Sequence, residues 1–213
     1  MPRLPWGHVT TTSTLLAGTA MGLGLIAAVG AQNAYLLQRS IRGDVDMVPI
    51  VAFCVVSDAL LITLGVAGVG ALVETAPLAL ELLRWFGVVF LLGYGAFAAR
   101  RALRPGPGLV ADGAGRAPSL LGALGAIAAF TWLNPHAYLD TVVLLGGVAN
   151  QQGGDLRWVF AAGSFVAALL WFPLVGFGGR ALRGRFARPG AWRVLDGGIA
   201  VMMLVLAVGL VRG

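Results

Sequence analysis

Two acidic residues of this sequence lie inside long apolar runs, where a carboxylate is unusual. Asp58 stands near the middle of the run at residues 47–73, and Asp140 lies in the stretch FTWLNPHAYLDTVVLL at residues 130–145. A carboxylate at membrane depth is costly, and it usually faces a cavity or the interior of a helix bundle. Two carboxylates facing one cavity could bind a guanidinium or ammonium group and exchange a proton for it. The alternative is structural pairing with an arginine or a backbone donor.

Pro135 predicts a break in the helix that carries Asp140. Proline removes a backbone donor, and its ring clashes with the preceding turn. Backbone freed in this way is tolerated at membrane depth only where protein or a water-filled cavity satisfies it. We therefore expect Asn134 and His136 to line a polar site together with Asp140. His136 could carry protons, because imidazole titrates near neutral pH, or it could simply bond freed backbone groups.

A second polar interruption falls near the end of the first apolar run. Gln32 and Asn33 precede the tetrapeptide AYLL at residues 34–37, and a similar tetrapeptide, AYLD, follows the proline break at residues 137–140. Their amides suit the carboxylate of a zwitterion, although membrane bundles also use such side chains for bonds between helices. The predicted substrate-binding residues, including the tyrosines of both tetrapeptides, are Asp58, Asp140, Asn33, Gln32, Asn134, His136, Tyr35 and Tyr138.

The composition requires membrane helices to position these residues. Of the 213 residues, 58% are hydrophobic and 11% are charged, whereas a soluble domain has roughly a quarter charged. The apolar stretches are long enough to span a bilayer and lack the alternation of barrel strands. We predict an all-α membrane protein with six transmembrane helices, of which helices 1 and 4 are interrupted. The predicted spans are residues 15–37, 47–73, 82–103, 120–148, 156–179 and 191–211.

The two tetrapeptides indicate an internal repeat, since they are separated by about half of the chain. Each half holds three spans, an odd number, so the second copy must cross the membrane in the opposite sense. We predict one transporter domain, residues 1–213, made of two inverted three-helix repeats at residues 1–104 and 118–213. Residues 105–117 would form the linker. Interrupted helices that meet at the midplane are typical of such secondary transporters.

The distribution of charge predicts the orientation. Every one of the 15 basic residues is arginine, and most arginines lie in the connections after spans one, three and five. The positive-inside rule makes those connections cytoplasmic and places both termini outside. Arginines between apolar runs report orientation, so we expect no nucleic-acid partner. Residues 1–14 contain no convincing cleavable signal peptide, and the first span is expected to stay in the mature protein.

The sequence predicts no cofactor, no metal site and no enzyme activity. Cys54 is the single cysteine, so a thiol relay lacks its second thiol, and the two histidines have no ligand partners at suitable spacing. No phosphate-binding loop occurs, so transport would be driven by a gradient. The expected partners are a small-molecule substrate, a coupling proton or ion, and membrane lipid. A homodimer could form through the glycine-rich faces of spans three and six.

Three motifs carry a resemblance to a known family. GAQNAYLLQRSIRGD at residues 30–44, VSDALLITLGVAG at 56–68 and TWLNPHAYLDTVVLLG at 131–146 resemble the lysine/arginine exporter (LysE-type) family, closest to its bacterial arginine exporter branch. Ala31 stands where the first motif of the family usually has proline. The resemblance implies a bacterial inner-membrane exporter of arginine and lysine, working by antiport with the proton gradient or driven by the membrane potential.

Other functions remain open alternatives. The family also includes exporters of neutral amino acids, and other small metabolites are an alternative within the same class. From another class, the interrupted helices could hold a reactive group in a membrane redox or enzyme component, although no nucleophile with an adjacent base can be assembled from these motifs. A purely structural membrane subunit would not need polar residues at two matched breaks.

Overall fold

A computed structural model of the chain describes residues 10–27, 30–68, 77–103, 119–184 and 189–212. All regular structure within these residues is helical, as predicted. The elements are α1 (Thr11–Ala27), α2 (Ala31–Arg42), α3 (Met47–Val66), α4 (Pro77–Leu103), α5 (Leu120–Trp132), α6 (Pro135–Ala137), a π-helical segment (Tyr138–Leu145), α7 (Gly146–Gln151), α8 (Leu156–Gly178), a 3₁₀ turn (Gly179–Leu182) and α9 (Pro189–Arg212).

Four helices of the described residues are long and apolar enough to cross a membrane. They are α3, α4, α8 with its 3₁₀ turn, and α9, and the bent pair α1 and α2 qualifies as a fifth crossing with 76° between its helices. The protein is therefore a multi-pass membrane protein. By itself α5 falls short, because the break after Trp132 stops it at 13 residues, about 20 Å of helix against a hydrocarbon core of roughly 30 Å.

Helix boundaries follow local signals. The Asp46 carboxylate accepts from the N–H of Val48 at 3.0 Å at the start of α3, and Ser119 caps α5 in the same way. Gly43 ends α2 with φ 62°, a left-handed conformation that suits glycine. Helix α4 begins at Pro77, whereas the predicted span begins at residue 82. The earlier start is possible because proline is tolerated in the first turn of a helix. The predicted linker, residues 105–117, lies outside the described residues.

Two long helix pairs frame the molecule. Small residues bring α1 against α8, because a Cβ on Gly18 would lie 2.1 Å from the carbonyl oxygen of Phe160. The other pair, α4 and α9, is antiparallel. Arg84 near the start of α4 donates to the carbonyl of Val211 at 2.5 Å, and Arg101 near its end pairs with Asp196 near the start of α9. Helix α3 packs between α8 and the π-helical segment.

Candidate functional site

The helix that carries Asp140 is interrupted beside Pro135, as predicted. Leu133 closes α5, and Asn134 follows in an extended conformation, with its side-chain oxygen accepting from the N–H of His136 at 3.2 Å. Pro135 then occupies the first position of α6, where a missing N–H costs nothing. Asn134 and Pro135 therefore act together, one as the N-cap and the other as the first residue of the new helix.

A π-helical segment follows the break and holds Asp140. Wide turns of this kind are rare, and they occur frequently at functional sites. The hydroxyl of Tyr138 reaches back and donates to the carbonyl of Trp132 at 2.9 Å. Trp132 is the last residue of α5, so this bond satisfies a carbonyl that the interruption leaves without a helical partner.

The first span is also interrupted, even though Ala31 replaces the usual proline. Helix α1 ends at Ala27, and α2 begins at Ala31 after an extended Gly30. The amide of Asn33 donates to the carbonyl of Ile26 at 2.5 Å and accepts from the indole N–H of Trp171 at 3.3 Å. One side chain thereby links the end of α1, the start of α2 and the middle of α8.

Both interruptions open onto one cavity of about 280 Å³. That volume lies near the lower limit of small-molecule sites, which span roughly 300–1,000 Å³. Helix α3 supplies one wall, and Phe172 of α8 and Leu206 of α9 supply apolar surface. Six of the predicted substrate-binding residues line the cavity: Gln32, Asn33, Asp58, Asn134, His136 and Asp140.

The two carboxylates differ in exposure. Asp58 is only 7% exposed, whereas Asp140 and His136 are exposed, so the cavity runs from an open edge at the second break to a closed end at α3. Neither Asp58 nor Asp140 has an ion-pair or hydrogen-bond partner in the part of the chain that the structure describes, and no arginine lines the cavity. An unpaired buried charge is costly, so this arrangement favours a cation or a proton at the carboxylates.

Polar groups of the first break complement the carboxylates. The Gln32 amide nitrogen is buried and has no oxygen acceptor among the described residues, and its side chain meets only the weakly accepting thiol of Cys54. Gly30 gives α2 no side-chain cap, so the first N–H groups of that helix remain available where Gly30 and Ala31 line the cavity. Helix N-termini favour negative charge. The cavity thus offers donors for an anionic group as well as acceptors for a cationic one.

A close contact between two glycines sets the distance between α3 and the second interrupted helix. A Cβ on Gly146 would lie 2.5 Å from the carbonyl carbon of Gly65, and a Cβ on Gly65 would lie 2.8 Å from the carbonyl oxygen of Thr141. The Asn150 amide donates to the carbonyls of both glycines, at 3.3 Å and 2.9 Å. This contact allows Asp58 of α3 to share a cavity with Asp140.

Two of the predicted site residues lie outside the cavity lining. Tyr35 is 2% exposed and packs its ring 5.9 Å from that of Tyr94 and 5.3 Å from that of Phe130, measured between centroids. Tyr138 uses its hydroxyl on the Trp132 carbonyl. In this structure, Tyr35 packs in the core and Tyr138 closes a helix end.

One buried acid is not among the residues predicted from the sequence. Asp196 of α9 is 3% exposed, and its carboxylate pairs with Arg101 at 2.8 Å and with Arg42 at 3.8 Å. The Gln38 amide donates to it at 2.7 Å. Because Asp196 falls inside the predicted sixth span, the signal that identified Asp58 was present here too. Thr141, which also lines the cavity, carries a common side chain and gave no such signal.

Fold and site together define a multi-pass membrane protein with two interrupted helices around a polar cavity, an arrangement typical of transporters. The family model for the LysE type translocator matches residues 23–213. The lysine exporter LysE of Corynebacterium diphtheriae is 38% identical over 93% of this chain and 99% of its own length. A Mycobacterium tuberculosis protein provisionally named as an amino-acid transporter is 45% identical over 86% of this chain and 90% of its own.

The lysine exporter LysE of Corynebacterium glutamicum is 32% identical over 92% of this chain and 97% of its own length. No solved structure matches the chain. The chain belongs to the LysE-type translocator family.

Proposed function

We propose that this protein exports arginine and lysine across the bacterial inner membrane as a secondary transporter. The observation that carries the proposal is the shared cavity of Asp58 and Asp140, whose lining, among the residues that the structure describes, contains two acids and no arginine. Two carboxylates suit a cationic side chain, and the names of the corynebacterial relatives describe lysine export. The preference of this protein for arginine or lysine depends on whether Asp58 and Asp140 bind a planar guanidinium or a compact ammonium group.

The cavity has a complementary group for each end of such a substrate. The side-chain cation would lie between Asp58 and Asp140, and the α-carboxylate would meet the Gln32 amide and the first N–H groups of α2. Asn134 would hold the second break open with Pro135, and Thr141 would add a hydroxyl at the cavity wall. Asn33 would shape the cavity indirectly, because its amide already bonds Ile26 and Trp171.

Coupling to protons follows from the charge of the substrate. An inside-negative potential opposes export of a monovalent cation by about 2.3 kcal/mol per 100 mV. Exchange of one proton inward for one cation outward moves no net charge, so antiport removes that cost. The exposed carboxylate of Asp140, with His136 beside it in the cavity lining, would alternate between the cation and the proton.

We also propose the six-crossing architecture of two inverted repeats, at residues 1–104 and 118–213 of a single domain. The packing supports it, because α1 against α8 has its counterpart in α5 against α3, and α2 against α8 has its counterpart in the π-helical segment against α3. The remaining pair is α4 and α9, which are antiparallel. These helices are the third spans of the two repeats, so exchanging the repeats turns this pair into itself. In this architecture α5 and the helical pieces after it form one interrupted crossing.

The proposed orientation puts the arginine-rich connections in the cytoplasm and both termini outside. It is supported by contacts that bring the ends of the first, third and fifth spans together. Arg42 and Arg101 meet at Asp196, and Arg183, after α8, donates to the carbonyl of Ser40 at 3.5 Å. A homodimer stays a prediction, and part of the glycine-rich face of α4 is already occupied within the chain, since a Cβ on Gly95 would lie 3.1 Å from the Cβ of Met203.

Neutral amino acids are the second candidate, with the two acids carrying protons only. A redox or enzyme component is disfavoured, because Cys54 is 0% exposed and is not among the cavity-lining residues. Efflux of labelled arginine, lysine and leucine from cells without their own basic-amino-acid exporter separates these functions. Chain-dependent efflux of the two cationic amino acids that stops when the proton gradient collapses supports the proposal. Efflux of leucine alone would replace it with the neutral alternative.

A further inference from the structure

The buried ion pairs of Asp196 connect three parts of the bundle at one end. Arg42 is the last residue of α2, Arg101 lies in the last turn of α4, and Asp196 lies near the start of α9. Both guanidinium groups also stack on rings, Arg42 at 4.6 Å from the Trp192 centroid and Arg101 at 4.7 Å from that of Phe97. Each partner therefore has a fixed place, and α2 cannot move away from α4 and α9 without breaking these contacts.

A layer of aromatic rings lies beside this network. Tyr94 and Phe130 are 4.8 Å apart between ring centroids, and Phe90 and Phe130 are 4.7 Å apart. Tyr35 of α2 packs on the same rings. The Tyr94 hydroxyl donates to the side-chain oxygen of Gln38 at 2.8 Å, and the Gln38 amide nitrogen donates to Asp196. Tyr94 thus connects the aromatic layer to the ion pairs.

Two helices show that both layers lie on one side of the cavity. Gln32 of α2 and Leu206 of α9 line the cavity, whereas Arg42 of α2 and Asp196 of α9 belong to the ion pairs. At 1.5 Å per residue, each helix separates the cavity from the ion pairs by about 15 Å. Tyr35, one turn beyond Gln32, lies between them. No residue of the ion-pair network lines the cavity.

We propose that Asp196 is a third functional carboxylate of this transporter: its pairs with Arg101 and Arg42, together with the Tyr35, Tyr94 and Phe130 layer, close the cavity on the side of the arginine-rich connections. The inference rests on the proposed transport function, which requires the cavity to open to each side in turn. In this structure the barrier on that side is closed. Opening it requires α2 to separate from α4 and α9, which breaks the Asp196 pairs in each cycle.

Accessibility of the cavity from that side tests the proposal without any substrate. Cys54→Ser removes the native thiol, and Ala137→Cys places a reporter in the cavity lining. A membrane-impermeant thiol reagent is applied to inside-out and right-side-out vesicles. A separate Ala181→Cys variant, with an exposed position after α8, identifies the arginine-rich side. Asp196→Asn should speed labelling of the reporter from that side by about tenfold or more, because loss of a buried ion pair shifts a two-state equilibrium strongly.

Two variants serve as controls. Glu81→Gln breaks the 3.3 Å pair with Arg84, which lies within α4 at the end away from Asp196, and it should leave labelling unchanged. Asp196→Glu keeps the charge and should label slowly, as the parent does. If Asp196→Asn fails to insert, Arg101→Gln must speed labelling instead, since Arg42 still neutralises Asp196. An inserted Asp196→Asn or Arg101→Gln variant that labels like the parent overturns the proposal. Faster labelling of the variant, combined with no arginine efflux by the parent, would overturn the proposed substrate and still support the proposed barrier.

Discussion

Asp58 of α3 and Asp140 of the π-helical segment line one cavity, and neither carboxylate forms an ion pair or a hydrogen bond within the described residues. This relationship unites the two halves of the chain at a single site. The exposures of the two acids differ, so their roles should differ as well. The buried Asp58 is suited to hold the cation, and the exposed Asp140 is suited to exchange it for a proton.

Asp58→Asn and Asp140→Asn should each abolish arginine efflux while the protein still inserts, because an amide cannot neutralise the bound cation. The measurement is efflux of labelled arginine normalised to the amount of protein in the membrane. Asp155→Asn, in the exposed turn before α8, is the matched control and should export normally. Normal efflux by Asp140→Asn would remove that residue from the mechanism.

Asp58→Asn should also stabilise the protein. The substitution removes a buried carboxylate that has no partner in the described structure, and such a group imposes a desolvation cost. For a chain of this size, each kcal/mol corresponds to a melting temperature about 2–4 °C higher. Thermal unfolding of the purified protein in detergent measures the change. A lower melting temperature would indicate that Asp58 forms a stabilising pair.

Gly65→Ala and Gly146→Ala should both destabilise the protein and reduce transport. Each added methyl would collide with backbone atoms across the contact between α3 and the second interrupted helix, and overpacking of this kind costs about 1–3 kcal/mol. Gly147→Ala is the matched control, since a Cβ there meets no atom within 4 Å. Melting temperature and efflux should change together in the first two variants, and equal behaviour of all three would contradict the contact.

Gln32→Leu should weaken recognition of the substrate carboxylate. Loss of a hydrogen bond to a charged group costs about 1.5–3 kcal/mol, which corresponds to roughly a tenfold or greater rise in KM for arginine. Agmatine, which lacks the carboxylate, provides the internal comparison. Agmatine should inhibit arginine export by the parent and by the Gln32→Leu variant with similar strength, because it has no carboxylate for the Gln32 amide to bind. Equal losses for arginine and agmatine would place Gln32 elsewhere in the site.

Tyr138→Phe should lower stability without changing KM. The variant loses the bond to the Trp132 carbonyl, at a cost of about 0.5–1.5 kcal/mol, while the cavity lining stays the same. Melting temperature and the concentration dependence of efflux distinguish the two effects. A raised KM with an unchanged melting temperature would instead support the sequence-based prediction that Tyr138 binds substrate.

The local signals of the sequence predicted the interruptions well. Pro135 acts on the backbone beside it, so its effect is readable without a fold, and Asn134 provides the matching cap. The position of Tyr35 was harder to predict, because it lies one helical turn beyond Gln32 and that turn separates the cavity from the core. Asp196 required knowledge of how α2, α4 and α9 meet. Its arginine partners are distant in sequence. From the distribution of charge alone, these arginines were interpreted only as indicators of membrane orientation.

The most direct test of the central claim is exchange in proteoliposomes that contain only this protein. Labelled arginine is placed inside, an inward proton gradient is imposed, and arginine release and proton uptake are recorded together. We predict release coupled to proton entry in the parent and neither flux in Asp58→Asn or Asp140→Asn. Coupled arginine release by Asp58→Asn or Asp140→Asn, or no release by an inserted parent protein, would contradict a shared carboxylate site for the cation and the proton.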